Sequence, residues 1–291
     1  MIDNVSNTPS KFRADLYLLG ITLIWGSSFI AVKIALSFTT PFLFLAIRFL
    51  IASLILLIVF RKKLLKFDAD TIKAGAVLGV LLATGFGAQT YGLVFTTASK
   101  SAFITGLFVI LVPIFSMIFE KIIPRKLLWL GVMFSFTGLY FLTSPEGNSF
   151  NIGDGFTSIG AVAFGAHTVA TQIYTKKYDF IQLTFLQILI TGCGGLLSTL
   201  ILETPKFDAN PQLILIILGT AIFPTVINFY ILNKYQRHTS STRAAIIYSF
   251  EPVAAAVIAY IFLNEVLGVR GAIGGALIML GMLVAELKKR K

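Results

Sequence analysis

The sequence predicts an all-α polytopic integral membrane protein of ten transmembrane helices, arranged as two inverted five-helix repeats. Three observations lead there. Of 291 residues, 56% are apolar and only 13% charged, with a mean hydropathy of +0.87, a composition outside the range of soluble domains. Ten apolar stretches each approach the roughly 20 residues an α-helix needs to cross hydrocarbon. Sliding residues 15–113 along by 139 brings Asp15 onto Asp154, Gly26 onto Gly165, Ala31 onto Ala170, Leu50 onto Leu189, Tyr91 onto Tyr230, Ser101 onto Ser240 and Pro113 onto Pro252 without a gap. With five spans per copy, the second copy enters the bilayer from the opposite side, so the repeats are inverted.

In chain order, residues 1–15 read as a polar cytoplasmic tail. The first repeat, 16–143, holds spans at 16–36, 42–60, 73–95, 101–119 and 127–143. No A-x-A-like cleavage site follows the first span, which is too long for a signal-peptide core, so it reads as a retained helix. After Pro113 the repeat register slips by four, placing Gly131 and Gly138 on Gly274 and Gly281. The second repeat, 154–287, holds spans at 155–175, 181–202, 212–233, 243–263 and 268–287, and 288–291 is a basic tail. Glycines recur where helices should approach closely: Gly75 and Gly79 in the third span, Gly192, Gly194 and Gly195 in the seventh, Gly271 and Gly275 in the tenth. A homodimer through the face of the tenth helix is one use for the last pair. The links are too short to hide a soluble catalytic module.

The net charge of +11 invites a nucleic-acid reading, and the placement of the charge rejects it. Of the 24 Lys and Arg residues, nineteen fall on the side of the N-terminus, among them Arg61, Lys62, Lys63, Arg125, Lys176 and the tail 288–291. Only Lys100, Lys206 and Arg270 fall on the other side, and Lys33 and Arg48 lie within spans. This obeys the positive-inside rule and predicts an inner cell-membrane protein with both termini cytoplasmic, its basic loops meeting anionic lipid headgroups. The lone Cys193 provides neither a disulfide framework nor a thiolate metal site, and no cofactor is predicted.

Polar groups inside the bilayer are expensive and mark the candidate pathway. Arg48 lies about seven residues in from the outer end of its span, roughly 10 Å deep at 1.5 Å per residue. It is either an anchor for a carboxylate or phosphate or a permanent structural partner for other helices. Lys33, nearer the outer end, is expected to snorkel to the interface. Gln89 and Thr105 sit at similar depths. In the inverted copy Lys33, Arg48 and Gln89 map to Gln172, Gln187 and Asn228, where an interhelical hydrogen bond is the competing reading of each amide. Glu251 lies near the middle of the ninth span, a candidate for proton coupling or for a substrate amine, or else a partner for backbone groups beside Pro252. His167 matches Ser28 and offers a titrating or a merely structural ring. Trp25 sits mid-span, away from the interfacial belts, as a cavity wall or packing residue. Pro113 matches Pro252, and Gly85 matches Pro224; paired interruptions in both halves mark where backbone groups are freed and helices bend.

Several strings carry a family resemblance: Leu23-Ile24-Trp25-Gly26-Ser27-Ser28-Phe29 in the first span, Arg48-Phe49-Leu50-Ile51-Ala52 in the second, Leu111-Val112-Pro113 in the fourth, and Trp129-Leu130-Gly131 with Thr137-Gly138-Leu139-Tyr140 in the fifth. Phe250-Glu251-Pro252, Asn264-Glu265, Gly274 and Gly281 follow in the second half. In order and span placement they resemble the drug/metabolite transporter superfamily, in its ten-helix EamA-like branch, over nearly the whole chain. The resemblance implies a secondary transporter exporting amino acids or related small metabolites by alternating access. A glutamate expected past the fourth span is missing from the loop, where Pro124 and Lys126 stand.

Two other classes compete. A channel or a lipid flippase would fit the same scaffold. An integral-membrane enzyme would need a catalytic constellation at one depth, yet there are only two histidines, one of them, His238, in a loop, and no intramembrane aspartate pair. Without a G-x-x-x-x-G-K-[ST] loop, energy must come from an ion gradient, from exchange or from the substrate itself. The expected partners are a small-molecule substrate and membrane lipid.

Overall fold

The computed structural model describes residues 11–96, 98–143, 151–254 and 268–286. Helix α1 (Lys11–Ala35) is followed by α2 (Pro41–Phe60), α3 (Ala69–Phe95), α4 (Ala98–Gly106), α5 (Phe108–Phe115), α6 (Lys126–Thr143), α7 (Ile152–Tyr174), α8 (Phe180–Leu202), α9 (Pro211–Ala221), α10 (Asn228–Tyr235), α11 (Ser241–Tyr248) and α12 (Val269–Glu286). Helices α4 and α5 together make the fourth span, α9 and α10 the eighth. Among the described residues each predicted span falls on helix. Asn264-Glu265, the end of the ninth span, residues 1–10 and the 288–291 tail lie outside the described residues.

Five helical rods are long and apolar enough to cross a membrane by themselves: Lys11–Ala35, Pro41–Lys63, Ala69–Phe95, Phe180–Leu202 and Pro211–His238. Shorter apolar helices cover Ile104–Glu120, Lys126–Gly138 and Val269–Gly281. Helix α7 is long but carries Asp154, Thr157, His167, Thr168, Thr171 and Gln172 on its buried side, because it runs through the interior of the bundle. Helix α1 starts at Lys11, so residues 11–15, read from sequence as tail, are its first turn; Asp15 is buried there and ion-pairs with Arg243 of α11.

Local chemistry sets the helix ends. Pro41 occupies the first turn of α2, where a missing N–H costs nothing. The N–H groups of Phe42 and Leu43 that follow donate to the carboxylate of Glu203, 2.9 and 3.3 Å away across the fold, a negative charge at the positive end of a helix dipole. Asp68 caps α3, and a reciprocal Asn151/Asp154 box caps α7. The helix bounds leave two ends to the bundle. One carries the turn Arg61–Lys63 and the connections 121–125, 175–179 and 236–240, and is the lysine-rich end. The other carries 36–40 and 203–210, joined by an isolated bridge between Thr39 and Phe207.

The tenth-span glycines named for self-association also have neighbours within the chain. Gly271 is buried, and Gly275 stands against Val253.

Candidate functional site

The interior of the bundle holds a narrow, partly open cavity of about 70 Å³. Its walls come from α1 (Trp25, Ser28, Phe29, Val32), α2 (Arg48), α3 (Leu82, Phe86, Gln89, Thr90, Leu93), α4 and α5 (Thr105, Phe108), α7 (Phe164, His167, Thr168), α10 (Phe229, Leu232), and Tyr248 with Glu251. Both repeats contribute. Val32 and Leu93 lie within a turn of the ends of α1 and α3, so the cavity runs from mid-bundle towards the lysine-poor end.

Arg48 is 2% exposed. Its Nε donates to Thr225 Oγ1 at 2.8 Å, and its guanidinium carbon lies 5.1 and 5.3 Å from the ring centroids of Phe49 and Phe86, within range of the attraction between a cation and an aromatic face. Among the described residues no carboxylate neutralises it, and its Nη2 finds no hydrogen-bond partner. A buried donor left unmade is costly. A bound anion would fill it.

The segment that holds Arg48 exists because of Pro224. Proline supplies no N–H and its ring crowds the carbonyl of residue 220, so the helix widens into a π-type turn over Ile222–Ile227. The Thr225 hydroxyl donates to the freed Thr220 carbonyl at 2.8 Å and uses a lone pair to receive Arg48. The indole N–H of Trp25 donates to the carbonyl of Pro224 itself at 3.1 Å, and the indole packs edge-on against Phe229 and Tyr248. One broken turn therefore positions both the cation and an aromatic wall.

The remaining polar groups are tied more conventionally. Gln89 Nε2 donates to Thr105 Oγ1 at 2.9 Å, joining α3 to α4. His167 shares a 2.7 Å hydrogen bond with Gln187 Oε1. Glu251 lines the cavity half-buried just after the chain leaves helix at Ser249 and Phe250. Among the described residues its carboxylate has no ion-pair partner.

The structure brings Trp25, Arg48, Gln89, Thr105, His167 and Glu251 to one cavity, and it separates the others. Lys33, expected to snorkel outwards, ends on the lysine-poor end of α3. Its ammonium donates to the carbonyls of Leu93 and Thr96, 2.5 and 3.0 Å away, because the last carbonyls of α3 lack helical donors and attract a cation. Asn228 donates to the Ile21 carbonyl and Gln172 to that of Thr239, the structural role left open for each amide. Gln187 reaches the cavity only through His167. Pro113 and Pro252 are buried and do not line this cavity. Sequence reasoning passed over Thr225, although it follows a flagged proline, and Glu120, one turn before the loop searched for a glutamate. Glu120 accepts from Ser116 and from Ser241 across the fold.

An all-helical polytopic membrane protein built twice over, with one amphipathic cavity between its halves, has the architecture of a membrane transporter. The chain belongs to the EamA-like transporter family, whose pattern it matches over residues 12–144 and again over 151–286. It is 36% identical over 281 residues to an "Uncharacterized transporter" of Archaeoglobus fulgidus, covering 96% of this chain and 87% of the relative. It is 24% identical to the "Uncharacterized transporter YoaV" of Bacillus subtilis (92% and 94% covered) and 24% identical to the chloroplastic WAT1-related protein At3g02690 of Arabidopsis thaliana (96% and 70%). A solved crystal structure shares the fold at a TM-score of 0.79, over 97% of this chain and 100% of that one, at 19% identity.

Proposed function

We propose that this transporter exports amino acids or related small metabolites across the cell membrane by alternating access, its termini on the cytoplasmic side and the units 16–143 and 154–287 moving against each other. The observation that carries the reading is Arg48, which has no ion-pair partner among the described residues, in a cavity that also holds Glu251, likewise without one among those residues, between aromatic walls. A carboxylate suits Arg48, an ammonium suits Glu251, and an apolar side chain suits Trp25, Phe86, Phe164 and Phe229. In this reading Glu251 also exchanges a proton or the amine as the cavity changes its opening.

A second reading, movement of an amphiphile, draws on a groove between α1 and α9 on the lipid-facing surface that shares Ser28 with the cavity. Counterflow of labelled amino acids and small organic anions in proteoliposomes separates the two. Amino-acid exchange should saturate, fall at least tenfold in Arg48→Ala, as expected on losing a charged hydrogen bond, and lose its pH dependence in Glu251→Gln. Intact protein that exchanges no solute but scrambles labelled lipid would replace the first reading with the second.

A further inference from the structure

Among the contacts between the two repeats are two seams that the 139-residue register makes equivalent, and these seams differ. Where α3 meets α7, glycine lets the backbones touch. An added Cβ at Gly92 would stand 2.7 Å from the Gly153 carbonyl, one at Gly153 would stand 2.6 Å from the Gly92 carbonyl, and one at Gly85 would stand 2.6 Å from Phe164. The matching positions of the other seam, where α1 meets α9 and α10, are Ile231, Ala14 and Pro224. Bulk and a proline replace the glycines, and this seam carries the groove on its lipid-facing side. Across it, Trp25 bonds the Pro224 carbonyl, and the next residue, Thr225, bonds Arg48.

We propose that Thr225 is a positioning residue that ties the cavity's cation to the broken turn of the eighth span, so that filling Arg48 and moving the α1–α9 seam are one event while the α3–α7 seam stays fixed. This rests on the reading of Arg48 as an anion site. Physically, Thr225 accepts the Nε hydrogen bond of Arg48, and its hydroxyl also plugs the carbonyl that Pro224 leaves open. An anion that draws the guanidinium changes the strength of that bond and so the balance between the widened turn and a regular one. Interfaces of this kind switch between packings rather than stretch.

The test uses full-length protein in a Cys193→Ser background, reconstituted and spin-labelled either at Leu23 and Leu215 across the α1–α9 seam or at Val77 and Val162 across the α3–α7 seam, with sodium benzoate and L-leucine as probes. The Leu23/Leu215 distances should shift with a probe and the Val77/Val162 distances should not. The shift should be lost in Thr225→Val, whose apparent probe affinity drops about tenfold as for a lost charged hydrogen bond. It should be kept in Thr225→Ser and in the neighbouring Thr220→Val, which does not touch Arg48. Equal shifts at both seams, or a full shift in Thr225→Val, overturn the proposal. If neither probe acts on intact protein, the anion reading is at fault, and the ligand-free distances still decide the coupling: a Leu23/Leu215 distribution broadened by Thr225→Val upholds it, and an unchanged one overturns it.

Discussion

Lys33 and Arg48 are two cations in one half of the chain with opposite tasks, and their surroundings decide which task each has. The ammonium of Lys33 is consumed by the last carbonyls of α3, whereas Arg48 keeps a donor in reserve beside the cavity. Lys33→Met should therefore cost about 1.5–3 kcal/mol, the usual loss for a hydrogen bond to a charged group, lowering the melting temperature in detergent while leaving the substrate concentration for half-maximal exchange unchanged. Lost exchange with unaltered melting would instead put Lys33 on the pathway. Arg48, Glu251 and His167 were legible in the sequence because a titratable group in hydrocarbon is rare enough to stand out. The aromatic walls were not, since 27 phenylalanines give no contrast by which to choose Phe86 or Phe229. Thr225 was hidden for a related reason: a threonine fits hydrocarbon at small cost, and only its neighbour's ring makes it a ligand.

At the scale of the element, proline and glycine carried most of the readable signal. The interruption predicted at Pro224 is the π-type turn at 222–227, and Pro113 is followed by a similar turn at Ser116–Glu120. Near Pro252 the break precedes the proline, at Ser249 and Phe250. The slipped register that set Gly131 on Gly274 and Gly138 on Gly281 has a direct counterpart in packing. A Cβ at Gly138 would lie 2.6 Å from the Gly274 carbonyl, and one at Gly281 2.7 Å from the Gly131 carbonyl. This crossed pairing is what a two-fold relation between α6 and α12 demands. Gly138→Val should force these helices apart at about 1–3 kcal/mol, the usual cost of overpacking, and show as a lower melting temperature with faster proteolysis. Gly20→Ala, whose added Cβ meets nothing within 4 Å, is the matched control and should melt no lower than the parent. Equal destabilisation by Gly20→Ala, where helix propensity favours alanine, would mean that close approach does not set the cost at Gly138.

For the whole molecule, the position of the cavity implies a direction. It leads from mid-bundle towards the lysine-poor end, while at the lysine-rich end two polar ties cross between the halves of the chain, Asp15 with Arg243 and Glu120 with Ser241. On the proposed orientation, with the lysine-rich end cytoplasmic by positive-inside placement, this conformer presents its cavity outwards and is held shut inside. Breaking the inner ties should move the population towards the opposite state by as much as those ties distinguish the two. In a Cys193→Ser background, Val32→Cys at the mouth of the cavity should react with an impermeant maleimide added outside intact cells. Adding Asp15→Asn and Glu120→Gln together should slow that reaction, because the outward state is then less populated. Labelling that proceeds only in inside-out vesicles would reverse the orientation, and a rate untouched by the double substitution would remove the inner ties as the lock. Either result leaves the described fold unchanged, because each bears on which mouth is open and not on the α3–α7 and α6–α12 contacts of this conformer.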